Sequence, residues 1–225
     1  DNMASILQTH LSDLTVPTET ALDHLSKAEI IERIWDKDHT VWSPAPTENS
    51  NRMGWMDSPD VMNHNVPEID EVVVAVRDAG FTQALLLGMG GSSLAPELFR
   101  KIFGIAENHL DLAILDSTDP KTILDYARRF DPKTTLYIPA TKSGGTVETI
   151  SFLKFFYNQV RDHVGATKAG QHFIAITDPE SGLEKLAESL HFRHIFRNAP
   201  NIGGRYSALS YFGLVPVSYT HLRAH

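Results

Sequence analysis

From residue 68 onward, short continuous apolar runs alternate with helix-spaced segments, and this βαβ rhythm restricts the chain to a parallel sheet covered on both faces. The apolar runs fall at 83–87, 111–115, 135–139, 172–177 and 194–197, and helical spacing occupies 68–79, 93–103, 120–129, 146–163 and 182–190. A run such as Ala84-Leu85-Leu86-Leu87 has no polar side to show to water, which suits a strand buried on both faces. Right-handed crossovers between five parallel strands predict a doubly wound α/β sheet in the flavodoxin-like order 2-1-3-4-5. In that order the first and third strands are neighbours, about 5 Å apart, and their carboxyl ends flank the switch point where open sheets bind ligands.

Those two strands lead into two loops of one kind. Gly88-Met89-Gly90-Gly91-Ser92-Ser93 follows the first, and Thr141-Lys142-Ser143-Gly144-Gly145-Thr146-Val147-Glu148-Thr149 follows the third. Each gathers hydroxyls and backbone N–H groups at a helix N-terminus, the arrangement that binds phosphate. A third loop, Asn201-Ile202-Gly203-Gly204-Arg205-Tyr206-Ser207, follows the fifth strand. Its glycines permit close backbone approach, and Arg205 supplies a permanent cation with planar donors that can stabilise a developing oxyanion.

Simpler readings compete with these. Ser92 and Ser143 could merely cap helices, and Arg205 could pair with a carboxylate in a structural turn. Gly88, Gly90 and Asp116 fit part of a dinucleotide fingerprint, but Ser93 stands where the third glycine belongs. The second loop lacks the Walker spacing, and the first does not spell G-x-S-x-G. Five charge-assisted hydrogen bonds at about 1.5–3 kcal/mol each barely exceed an association cost of about 4–15 kcal/mol. Useful affinity therefore calls for a phosphate ester rather than bare phosphate.

Composition narrows the partners. A net charge of −8 without a dense basic cluster argues against nucleic acid, and the absence of cysteine excludes thiolate metal sites and cysteine nucleophiles. The histidines lack H-E-x-x-H spacing, so neither metal nor cofactor is expected. No apolar run reaches membrane-spanning length, and the first residues do not read as a signal peptide, which makes the cytoplasm the expected location.

The N-terminal part reads differently. Residues 1–33 carry the spacing of two short amphipathic helices, whereas 35–67, with Pro44, Pro46, Pro59 and Pro67, reads as an irregular arm. Trp35, Trp42 and Trp55 all fall in that arm and are expected to be packing anchors, with ligand stacking as the alternative. The expected domains are an N-terminal helical and extended arm (1–66), a sugar-phosphate-binding domain (67–217) and an irregular, foreign-looking tail (218–225).

The stretches GMGGSSLAPE, TKSGGTVET and NIGGRYSALSYFGLVP, in that order, resemble the glucose-6-phosphate isomerase family and its SIS domain. The segment Asp38-His39-Thr40-Val41-Trp42 resembles the isomerase half of bifunctional transaldolase/glucose-6-phosphate isomerase chains. The resemblance implies an aldose-ketose isomerase of glycolysis and gluconeogenesis that acts on a sugar phosphate through an enediolate and forms a homodimer when complete. It implies that Ser92, Thr141, Ser143, Thr146 and Thr149 clasp the phosphate, that Gly90, Gly91, Gly203 and Gly204 allow backbone approach, and that Arg205 is catalytic. The family's second loop more often carries a hydroxyl where this chain has Gly145. Family members place the glutamate base, a ring-opening histidine and a late lysine beyond the last residue here, so the resemblance implies a C-terminally truncated chain that binds substrate better than it turns it over. The alternatives from other classes are a non-catalytic sugar-phosphate sensor and a dinucleotide-binding protein.

Overall fold

Alternation along the strands organises the larger part of the molecule. A computed structural model describes residues 11–220, which divide between Ser50 and Asn51 into two units. The first unit contains α1 (Thr15–Lys27) and α2 (Ile30–Trp35), neither of which buries a residue. So short a segment cannot assemble a core of its own.

The second unit runs α3 (Ser58–Asp78), β1 (Gln83–Gly88), α4 (Leu94–Phe103), β2 (Asp111–Leu115), α5 (Pro120–Arg129), β3 (Thr135–Ala140), α6 (Val147–Val164), α7 (Ala166–Ala169), β4 (Ile174–Thr177), α8 (Gly182–Ser189), β5 (His194–Arg197) and α9 (Tyr211–Ser218). All pairings are parallel, and the order is β2-β1-β3-β4-β5, as the handedness argument predicts. Successive strand residues point to opposite faces. Leu86, Leu112, Ile138 and Ile176 pack with Val73 of α3 and Phe212 of α9, while Leu85, Tyr137 and Ala175 pack with Phe156 of α6 and Leu183 of α8. The strands are therefore apolar throughout because each serves two cores.

Three local expectations change. Helix α3 begins at Ser58, not at 68, and carries Pro67 inside it. Met62, Ile69, Val73 and Val76 are buried along the helix, and the exposed position of Pro67 leaves the carbonyl it cannot bond to water. Burial of that face outweighs the proline. Trp35 and Trp42 are not anchors: they are 65% and 51% exposed, in the unit that buries little. Trp55 is 39% exposed and stacks on Tyr206, with ring centroids 5.9 Å apart. Ser218, Tyr219 and Thr220, read from sequence as tail, are buried. Leu110 donates its N–H to the Tyr219 carbonyl at 2.9 Å and Ala106 to that of Thr220 at 2.7 Å. The expected first helix and the tail's last residues partly lie outside the described residues.

Candidate functional site

The register Gly88↔Ala140 sets the ends of β1 and β3 side by side, so the first two loops leave the sheet as neighbours. The third joins them through a glycine contact. A Cβ on Gly91 would lie 2.2 Å from the Gly204 carbonyl oxygen, a distance no side chain tolerates. The Ser207 hydroxyl fixes this approach by donating to the Gly204 carbonyl at 2.7 Å and standing 3.3 Å from that of Gly91. These loops border an open cleft of about 440 Å³.

Ser92, Thr141, Ser143 and Thr146 line the cleft together with Gly91 and Gly204. The capping reading of the loops does not hold. Thr146 occupies the N-cap position of α6 without a side-chain cap bond, because its hydroxyl is engaged with that of Thr141 at 2.7 Å. Ser143 Oγ accepts from the Gly145 N–H at 3.2 Å, within its own loop. At α4, Ser93 likewise caps nothing and donates to the Gly90 carbonyl at 3.0 Å. Among the described residues no side chain caps the start of α4 or α6, and Ser92 and Thr146, just before those helices, line the cleft, so the helix dipoles favour an anion there.

The remaining expected residues are placed differently. Thr149 is buried within α6, its hydroxyl has no partner among the described residues, and it does not line the cleft. Gly90 sits at φ 55°, a conformation glycine adopts without penalty, and Gly203 is packed beneath Tyr206 and Arg52. Arg205 is exposed on the turn Gly204–Tyr206, outside the cleft lining.

Sequence reasoning passed over three charged residues that line the cleft: Arg52, Lys142 and Asp178. Lys142 forms an ion pair with Asp178 and donates to the Pro200 carbonyl at 2.8 Å, tying together the loops after β3, β4 and β5. Burial raises the Asp178 carboxyl above its ordinary value, and the hydrogen bond from Lys142 opposes that rise. The only sequence signal was the position of Lys142 and Asp178 just past adjacent strands. Lys142→Met is expected to lower unfolding stability by about 2 kcal/mol, since it strands a half-buried carboxylate. A urea titration checks this, and an unchanged midpoint would show that the tie contributes nothing.

Gly144, at φ 69°, closes the second loop. A Cβ there would come within 2.6 Å of Ser181 Cβ and 2.7 Å of the Gly182 nitrogen, so the loop rests directly on the start of α8. Ser181 caps that helix by accepting from the Glu184 N–H at 3.1 Å. Among the described residues no three histidine, aspartate or glutamate side chains gather as a metal site, and no helix is long and apolar enough to cross a membrane.

A family model described as "Phosphoglucose isomerase" matches residues 71–221, which takes in all three loops. The chain belongs to the phosphoglucose isomerase family. A curated relative from Thermus thermophilus, "Glucose-6-phosphate isomerase", is 33% identical over 178 residues, covering 76% of this chain and 40% of the relative. One of the same name from Carboxydothermus hydrogenoformans is 30% identical over 187 residues, covering 77% and 39%. The chain thus spans about 40% of the length of these relatives. Among solved structures, a "hypothetical protein TT0462" from Thermus thermophilus superposes with a TM-score of 0.73 at 30% identity, over 92% of this chain and 47% of that one. A "glucose-6-phosphate isomerase from Chlamydia trachomatis D/UW-3/Cx" superposes at 0.63 and 22% identity, over 84% and 34%, and shares the fold.

Proposed function

We propose that this chain is the sugar-phosphate clasp of a glucose-6-phosphate isomerase. One observation carries the reading: four hydroxyl residues from two strand ends line a single cleft at helix starts that no side chain caps. The hydroxyls of Ser92, Thr141, Ser143 and Thr146, with the first-turn amides of α4 and α6, hold the phosphate. Gly91 and Gly204 bring backbone to its edge. Thr149 contributes through the packing of α6 and not by direct contact.

Arg205 supplies the catalytic cation. Isomerisation moves a proton between C1 and C2, and negative charge accumulates on the enediolate oxygens as it does so. A guanidinium that is not spent on a fixed ion pair remains available for that charge. Among the described residues Arg205 has no such pair. No residue lining the cleft is placed to act as the proton-transfer base, because Asp178 is held by Lys142. The base belongs to the part of the longer protein outside these residues, and the complete isomerase is a cytoplasmic homodimer of glycolysis and gluconeogenesis.

Calorimetric titration of this chain with glucose 6-phosphate, against unphosphorylated glucose and NAD, tests the clasp. The sugar phosphate is expected to bind and NAD is not. Binding of NAD through Gly88, Gly90 and Asp116 would replace this reading with a dinucleotide site. Thr146→Val is expected to weaken glucose 6-phosphate about tenfold, the loss of one charge-assisted hydrogen bond. Equal affinity in the variant would remove Thr146 from the clasp.

A further inference from the structure

The chain carries a net charge of −8, yet its cleft is lined by two cations, Arg52 and Lys142, and by one acid, Asp178. Lys142 is held in an ion pair with Asp178 and donates to the Pro200 carbonyl at 2.8 Å, so its charge answers that carboxylate. Arg52 therefore gives the lining its excess of positive charge. That charge acts inside the cleft, because Arg52 joins Lys142 in opposing the rise that burial imposes on the Asp178 carboxyl.

Arg52 stands there because the segment around it is pinned to the third loop. Met53 pairs with Ile202 as an isolated antiparallel bridge, and the Gly54 N–H donates to the Asn201 carbonyl at 3.0 Å. The Asn201 side chain fills the space that a Cβ on Gly54 would take, with its Oδ1 only 2.3 Å away, so a glycine is required at that point. Trp55 stacks on Tyr206, ring centroids 5.9 Å apart. The stem of Arg52 lies against the same loop, its Cδ 3.4 Å from the place of a Cβ on Gly203. A guanidinium whose stem is already held loses little conformational freedom when it meets a ligand.

A phosphate ester carries a charge of about −1.5 to −2 at neutral pH. Hydroxyls and helix N-terminal amides offer it neutral donors, whereas a guanidinium adds a full charge and two parallel N–H groups that match two phosphate oxygens. A guanidinium has five N–H donors in all, so contact with a protein group and contact with a ligand are compatible. We propose that Arg52 is the phosphate-binding cation of this cleft and sets its preference for phosphorylated over unphosphorylated sugar, which deepens the clasp proposed above and rests on it. Arg52 and Arg205 thus divide the work: the first lines the cleft and meets charge present before reaction, and the second stands outside the lining.

Calorimetric titration of the whole chain with glucose 6-phosphate, alone and in competition with inorganic phosphate, tests this role. Arg52→Ala and Arg52→Gln are each expected to weaken glucose 6-phosphate by about tenfold or more, and inorganic phosphate by the same factor. Arg52→Lys, which keeps the charge and loses the fork, should recover part of the loss. Affinity in Arg52→Gln should also depend less steeply on salt than in the parent, a readout that lost packing would not move. Its urea midpoint is expected to match the parent's, since the stem against Gly203 is kept. Parent-like affinity in Arg52→Gln would overturn the assignment and leave the hydroxyl clasp standing, whereas a parent chain that does not bind glucose 6-phosphate would remove the clasp and the role of Arg52 with it. A lowered midpoint with an unchanged salt dependence would make Arg52 a structural strut and overturn the proposal. A loss confined to glucose 6-phosphate, with inorganic phosphate competing equally in both chains or in neither, would put Arg52 on the sugar and overturn its assignment to phosphate.

Discussion

Gly91→Ala is expected to destabilise the chain by about 3 kcal/mol and to abolish measurable binding of glucose 6-phosphate. The added methyl would stand 2.2 Å from the Gly204 carbonyl oxygen, and that neighbour is backbone, which cannot rotate away as a flexible side chain would. Either the first loop or the third must retreat. Retreat of the first loop carries Ser92 out of the cleft and breaks the Ser207 contacts, while retreat of the third displaces Gly204 and with it the turn that presents Arg205. Urea unfolding and calorimetry measure the two effects separately. A variant with the parent's midpoint and the parent's affinity would show that the loops meet less closely than the distance implies. Gly145→Ala is the control, because a Cβ there meets only the Ser143 hydroxyl oxygen, 4.0 Å away, and it should leave stability nearly unchanged.

Arg205→Ala, made in the complete isomerase, is expected to lower kcat by about 10²–10³ and to leave KM within a few-fold of the parent. The asymmetry follows from when the charge appears. Glucose 6-phosphate carries its charge on the phosphate, which the proposed clasp would hold through the hydroxyl loops, whereas the oxyanion assigned to Arg205 in that proposal would form only as the proton leaves carbon. The guanidinium need not be recruited from an ion pair, and its turn is fixed by the bond from the Ser207 hydroxyl to the Gly204 carbonyl at 2.7 Å. Steady-state rates of glucose 6-phosphate conversion to fructose 6-phosphate decide the matter. An unchanged kcat would take Arg205 out of the mechanism, and a raised KM with normal kcat would make it a phosphate contact instead. Arg205→Lys keeps the charge but loses the planar donors, so it should recover only part of the rate.

These two residues differ in how far the sequence exposes them. Arg205 stands out in sequence because it follows two glycines after a strand, and the structure places it exposed on the Gly204–Tyr206 turn, outside the cleft lining, where its proposed role awaits the kinetic test. Gly91 is legible as a glycine, but the sequence attributes it to ligand approach, whereas the structure shows that it is required by a loop far along the chain, as the Gly91–Gly204 contact makes plain. The same holds for Lys142. In sequence it is a lysine that breaks a Walker pattern; in the fold it binds Asp178, 36 residues later, and the Pro200 carbonyl, 58 residues later. Thr149 is the converse case: a hydroxyl in the right stretch of sequence that helical geometry turns into the core behind the cleft.

Local pattern determined the strands and most of the helices, and the commonest doubly wound arrangement of five such strands supplied the sheet order that the structure shows. A strand buried on both faces must be apolar throughout, and the handedness of the crossovers leaves few arrangements of five such strands. It determined as well that two hydroxyl loops would emerge at adjacent strand ends, since the order 2-1-3-4-5 puts β1 beside β3. Only the tertiary structure decided which of those hydroxyls share a cleft, that Pro67 lies within α3, that Trp35 and Trp42 stay in water, and that Lys142 is spent on a tie between loops. The reason is one of range. Periodicity and capping act over one or two turns and leave their mark in consecutive residues, whereas a glycine that admits a distant carbonyl, or a lysine that meets a distant carboxylate, is selected by a surface that exists only once the chain has folded.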